Sequence, residues 1–189
     1  VSFGVPISAA QLAAAIPGDM DGDGFDDLAY QDTASRRWRV LRGSTFGFLT
    51  PAIDTGLGAD GDGSQALSAD VYGDGRRDVL VPGSCNYWHR LRWSPAGGYQ
   101  YNATGVVNPA PPGGLIAADI DGDGRDDLVY VKTGGSAIYW RRNQTTGSSS
   151  YAAEAVLWTV PAGTQLTSTP FLETVQRFRS IVRSGDFNG

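Results

Sequence analysis

The chain has 189 residues, of which 41% are hydrophobic, 11% aromatic and only 19% charged, with 26 Gly and 10 Pro. That is long enough for one domain with a real core, too apolar for disorder, and rich in the turn residues of all-β proteins. The net charge is −5, but 14 of the 18 Asp fall in four short strings and only two Glu occur, so the acidity is concentrated rather than spread over a surface.

In chain order, residues 1–7 alternate weakly and predict a short strand. The apolar run 12–16 leads into Pro17-Gly18 and predicts a short buried strand in preference to a helix. The Asp-rich string 19–28, DMDGDGFDDL, opens the next strand, over 27–31. A turn at 33–35 precedes RWRVL over 37–41, whose polar–apolar alternation marks a half-buried strand. Residues 46–53 predict a fourth strand.

The order then repeats. Strands are expected at 66–69, 78–81, 87–93 and 98–102 around the string 70–80, DVYGDGRRDVL. After a linker at 108–114, NPAPPGG, a third round places strands at 115–118, 127–132, 137–142 and 151–158 around DIDGDGRDDL at 119–128. A fourth string begins at Asp186 as DFNG, and an insertion with a short helix at 171–179 accounts for its delay. Successive strings start 51, 49 and 67 residues apart. A period of roughly 50 residues with four strands per unit predicts a β-propeller.

In the first string, carboxylates stand at positions 1, 3, 5 and 9, namely Asp19, Asp21, Asp23 and Asp27. Gly22 and Gly24 allow the tight backbone that brings them together. A hard cation such as Ca²⁺ takes six to eight oxygen ligands, and the Phe25 carbonyl at position 7 would add one. The third string offers the same set: Asp119, Asp121, Asp123, the Arg125 carbonyl and Asp127. The second offers Asp70, Asp74, the Arg76 carbonyl and Asp78, but Tyr72 replaces the acidic residue at position 3, which predicts a weaker site or none. Two bound Ca²⁺ would bring the charge from −5 to −1, and three to +1. An EF-hand needs an acidic ligand at position 12, where Tyr30 and Tyr130 stand instead, and strands rather than helices follow the loops. Asp26 and Asp126 are expected to point outward or to accept loop hydrogen bonds. Asp60-Gly-Asp62-Gly imitates half a loop and reads as a plain turn.

These loops and the strands after them resemble FG-GAP/VCBS-type repeats, the calcium-loop blades of integrin α-subunit propellers and of many bacterial secreted proteins. RWRVLRGSTFGF and GDFNG also resemble the propeller segments of bacterial RHS/YD-repeat and Tc-toxin B-type proteins. The resemblance implies an all-β, partial propeller of about three to four four-stranded blades. Its divisions are the end of one blade at 1–10, blades at 11–58, 59–108 and 109–162, and the start of another at 163–189. An open arc exposes strand edges, so a longer chain or self-association is expected to close it.

Nothing points to catalysis. His89 is the sole histidine and lies on a strand without a nucleophile motif, which reads as structural. Cys85, the only cysteine, excludes an internal disulfide and reads as a packed thiol. GxSxG, HExxH, P-loop and CxxC motifs do not occur. The 14 Arg and the single Lys132 are scattered, with pairs at Arg36/Arg37, Arg76/Arg77 and Arg141/Arg142, and form no stripe for a nucleic-acid backbone. There is no apolar run of about 18 residues, so no membrane-spanning helix is expected, and residues 1–18 lack a signal peptide's basic start. Trp38, Trp88 and Trp140 follow the first Asp of their strings by 19, 18 and 21 residues, a recurrence that favours packing between sheets over an exposed platform.

The expected role is a calcium-stabilised, non-catalytic scaffold or protein-interaction module of a larger secreted or surface protein, toxin-like under the second resemblance. Its partners would be other parts of that protein or a separate protein. A carbohydrate-binding propeller is the alternative, and an accessory part of a secreted enzyme the third.

Overall fold

A computed structural model describes residues 7–58, 66–82, 87–96, 98–107, 112–132, 136–146, 151–159 and 161. The strand expected at 1–7, the half-loop at 60–63, Cys85, the helix at 171–179 and the fourth string at Asp186 lie largely or wholly outside them. The described chain is all-β apart from one short helix, with twelve strands in three antiparallel four-stranded sheets.

The helix, α1 (Ala9–Ala13), corrects the strand expected at 12–16. Ser8 caps it: its Oγ accepts the Gln11 N–H at 3.2 Å, and Gln11 Oε1 accepts the Ser8 N–H at 2.8 Å. This reciprocal capping box, with Ala in the interior, outweighs the strand-like apolar run.

The first sheet runs in chain order: β1 (Ile16–Gly18), β2 (Asp27–Asp32), β3 (Arg37–Leu41) and β4 (Ile53–Gly58). Pro17 is exposed on β1, an edge strand, where its missing N–H costs no ladder bond. On β3, Trp38 and Val40 are buried while Arg37 and Arg39 face outward. The fourth strand starts at Ile53, not at 46. Residues 44–47 form a turn in which the Gly47 N–H donates to Ser44 O at 3.1 Å and Ser44 Oγ donates to Gly47 O at 2.5 Å, leaving Phe46 exposed. The run FGFL is apolar without being a strand because that turn removes its backbone from the ladder.

The second sheet contains β5 (Leu67–Ala69), β6 (Asp78–Pro82), β7 (Tyr87–Ser94) and β8 (Gly98–Val107). The third contains β9 (Pro112–Ala118), β10 (Asp127–Lys132), β11 (Ala137–Arg141) and β12 (Ala155–Thr159). Strand β9 takes in the last part of the expected linker, and Tyr151, where the last strand was expected to start, lies in an isolated bridge with Asn143 ahead of β12.

The sheets repeat in register. Each Asp-rich loop joins a sheet's first two strands and is closed by an equivalent pair: Gly18 opposite Asp27, Ala69 opposite Asp78, Ala118 opposite Asp127. Thr55 Oγ1 donates to Trp38 O and Thr104 Oγ1 to Trp88 O, each at 2.7 Å.

The chain divides into two compact units, Val1–Asp70 with Asp74–Thr104, and Val71–Gly73 with Gly105–Gly189. In the first, Ile16, Met20, Ala29, Trp38 and Val40 pack with Val79, Val81 and Leu91, so the first two sheets share one core. In the second, Ile116, Val129 and Val131 pack with Ile120, Ile138 and Trp140. Trp38 and Trp88 are buried and Trp140 is half-buried, so the recurrent tryptophans are packing residues. Trp158, by contrast, is exposed on β12. His89 stacks on Tyr101, ring centroids 4.6 Å apart. Among the described residues, no helix is long and apolar enough to cross a membrane.

Candidate metal centres

The first loop is wound around Asp19. Its Oδ1 accepts the N–H groups of Gly22 at 2.8 Å and Asp23 at 3.2 Å, and its Oδ2 accepts that of Gly24 at 2.9 Å. Gly22 and Gly24 have φ of +83° and +89°, a region that side chains disfavour. The third loop repeats the pattern, with Asp119 accepting from Gly122 at 2.8 Å, Asp123 at 3.2 Å and Gly124 at 2.9 Å.

This winding gathers carboxylates. Oxygens of Asp19, Asp21 and Asp27 lie within 4.8 Å of one another, and so do those of Asp119, Asp121 and Asp127. Asp23 and Asp123 stand outside these groups. Asp23 Oδ1 accepts the Phe25 N–H at 2.9 Å, and Asp123 Oδ1 accepts the Arg125 N–H at 3.0 Å while its Oδ2 pairs with the Arg125 guanidinium at 2.5 Å. Asp26 is exposed. Asp126 is buried, so of the two arrangements expected of it the outward one does not hold, and it belongs to neither group.

The deepest carboxylates are Asp27 and Asp127, both 0% exposed. Asp27 is fixed by the Gly43 N–H at 2.7 Å and the Met20 N–H at 3.0 Å, and Asp127 by those of Asn143 at 2.6 Å and Ile120 at 3.2 Å. Burial pushes both up to about 6; their backbone donors oppose the rise and the neighbouring Asp charges add to it. The Tyr99 hydroxyl, buried without a hydrogen-bond partner among the described residues, is pushed above its usual range by burial and then by the charges of Asp27 and Asp21.

These features fit a divalent cation. Each loop holds an all-oxygen, hard donor set whose innermost member is costly to ionise without a counter-charge. The residues suit Ca²⁺ or Mg²⁺ better than a thiolate- or imidazole-seeking metal. Both loops are flanked by strands, and Tyr30 and Tyr130 lie within β2 and β10, which excludes an EF-hand.

The second loop is built differently. Asp70 accepts the N–H groups of Asp74 at 3.2 Å and Gly75 at 2.8 Å, so the winding is retained. Asp78 is buried like its counterparts, but Asp74 is held by Arg76 at 2.7 Å and Arg92 at 2.5 Å. Among the described residues, the three-carboxylate groups belong to the first and third loops, not the second.

Sequence reasoning missed Gly43 and Asn143, although each lies 16 residues beyond the buried Asp it serves. A Cβ at Gly43 would come within 2.4 Å of Asp26 O, so the close approach depends on glycine. Asn143 is fully buried, donates through Nδ2 to Val71 O at 2.9 Å and to Asp126 O at 3.0 Å, and accepts the Thr145 N–H at 2.9 Å. The constant offset was the available signal.

In comparisons with known proteins, no family model and no curated protein matches the chain.

Proposed function

We propose that this chain is a run of calcium-loop β-propeller blades of the FG-GAP/VCBS kind, acting as a non-catalytic scaffold within a larger secreted or surface protein. The observation that carries the reading is the recurrence of one unit. Each is a four-stranded antiparallel meander whose first bend is an Asp/Gly loop, and in two units that bend gathers three carboxylates. Asp19, Asp21 and Asp27 would hold one ion and Asp119, Asp121 and Asp127 the other. Asp23, Asp123 and the Phe25 and Arg125 carbonyls, with water, would complete the shell.

The ion's role is structural. It draws the repelling carboxylates of a bend together and ties the first strand of a sheet to the second, so metal binding and folding are linked. These carboxylates are committed to winding their own loops, which leaves them poorly placed as acid and base. A propeller scaffold then presents its faces and edges to other parts of the same protein or to a partner; that step rests on analogy of fold.

The test is thermal melting of the chain in calcium and in EGTA, followed by a glycan array in calcium. A melting temperature that falls in EGTA, with no sugar bound, supports the scaffold. Specific sugar binding transfers the reading to a lectin, and an unchanged melt removes the calcium.

A further inference from the structure

Each repeat carries an arginine at nearly the same place: Arg42, Arg92 and Arg142 follow the first Asp of their loops by 23, 22 and 23 residues. In the first and third repeats this arginine is peripheral. Arg42 lies just past the end of β3, with its side chain 40% exposed, and pairs with Asp21 at 3.6 Å. Arg142 lies just past the end of β11, 50% exposed, and pairs with Asp121 and, at 3.7 Å, with Asp123. These described ion pairs reach the outer carboxylates, not Asp27 or Asp127.

Arg92 lies inside β7, only 19% exposed, because that strand runs on to Ser94. Its guanidinium spans two carboxylates, with Nη2 2.5 Å from Asp74 Oδ2 and Nη1 3.5 Å from Asp78 Oδ2, and Asp78 is 1% exposed. Arg76 adds a second cation on Asp74 at 2.7 Å. Together the two guanidiniums supply the double positive charge that a divalent ion would bring, at the bend where Tyr72 has replaced a carboxylate.

We infer that Arg92 takes the place of the metal in the second loop, so the second sheet closes its bend with an internal cation and does not depend on calcium. Arg92 thereby occupies the second bend and keeps an ion out of it, on top of the carboxylate lost at Tyr72. The inference rests on the calcium reading of the first and third loops for its comparison. Arg90, buried on the same strand, also acts on Asp78, but the Arg92 charge acts on it most strongly, and a buried carboxylate deprived of its paired cation is destabilised, which gives a metal-independent readout as well.

Three proteins test it: wild type, Tyr72→Asp, and Tyr72→Asp/Arg92→Gln. Each is titrated with calcium chloride by calorimetry, and Arg92→Gln is melted in EGTA beside wild type. Wild type and Tyr72→Asp are expected to bind two equivalents, because the arginine still fills the bend, and the double variant three. Arg92→Gln is expected to melt lower in EGTA by on the order of 10 °C. Three equivalents of like affinity in wild type, a third site in Tyr72→Asp alone, or an unchanged melt of Arg92→Gln would overturn the inference. If wild type binds none, the calcium reading fails, and the melt of Arg92→Gln in EGTA still decides the role of Arg92. If the double variant does not fold, wild type and Tyr72→Asp still decide it.

Discussion

Asp21 and Asp27 belong to the same carboxylate group but are held in different ways, and removing each separates metal binding from folding. Asp27→Ala takes the acceptor from two N–H groups, Met20 at 3.0 Å and Gly43 at 2.7 Å, in a fully buried place. Each buried orphan costs about 1–3 kcal/mol, so the variant should lose about 2–6 kcal/mol even without metal. Removing a carboxyl that is itself expensive to bury offsets part of this, which favours the lower half of the range. Asp21→Ala removes an ion pair with Arg42 at 3.6 Å and an exposed bond from the Asp23 N–H at 3.2 Å, together worth about 1 kcal/mol or less. Urea unfolding in EGTA should therefore show a large loss for Asp27→Ala and a small one for Asp21→Ala. Repeated in calcium, both variants should gain less stability than wild type, since each lacks a ligand. Equal stability of the two variants in EGTA would refute the division between a folding carboxylate and a metal carboxylate.

Other outcomes follow from the same geometry. Gly43→Ala should cost about 1–3 kcal/mol and weaken calcium binding at the first loop, because its Cβ would press on Asp26 O at 2.4 Å; calorimetry and urea unfolding measure both. Asn143→Ala strands Val71 O, Asp126 O and the Thr145 N–H, and should cost about 3 kcal/mol or more, read by urea unfolding. The pH dependence should also change sign with metal. Burial raises Asp27 and Asp127 to about 6 and Asp78 to about 7, so these groups bind protons more tightly folded than unfolded. Their contribution to stability is full below the unfolded carboxyl value of about 4 and is lost as pH rises towards 6–7. In EGTA the melting temperature should be higher near about pH 5 than near about pH 7.5, whereas bound calcium, which needs ionised carboxylates, should flatten or reverse that slope. Carboxylates held below their usual value, such as Asp32 and Asp54, act below that window.

The parts of the fold legible in the sequence were those fixed by local chemistry. The Asp/Gly strings mark three bends because their residues bond within the same loop, and the strands that follow, as in RWRVL, alternate as half-buried strands must. What escaped depended on contacts across longer spans or on competing local signals. The strand over 53–58 was displaced by the apolar FGFL, whose turn is set by Ser44 and Gly47. The helix at Ala9–Ala13 was hidden because Ser8 and Gln11 act as a reciprocal pair, while the apolar run alone reads as strand. At the candidate centres, spacing marked positions 1, 3, 5 and 9 as one set; positions 1, 3 and 9 come together, while position 5 stands apart and accepts the N–H of position 7. The supports from Gly43 and Asn143, just past the ends of β3 and β11, and the guanidinium of Arg92 on β7, come from later stretches of chain that the loop strings do not encode.

The central claim, that these bends grip ions, is met most directly by a high-resolution crystal structure of the chain grown in millimolar calcium. The account predicts a strong density peak among Asp19, Asp21 and Asp27 and another among Asp119, Asp121 and Asp127, with oxygen ligands at about 2.3–2.6 Å. Ordered carboxylates at both bends with no ion between them would contradict it.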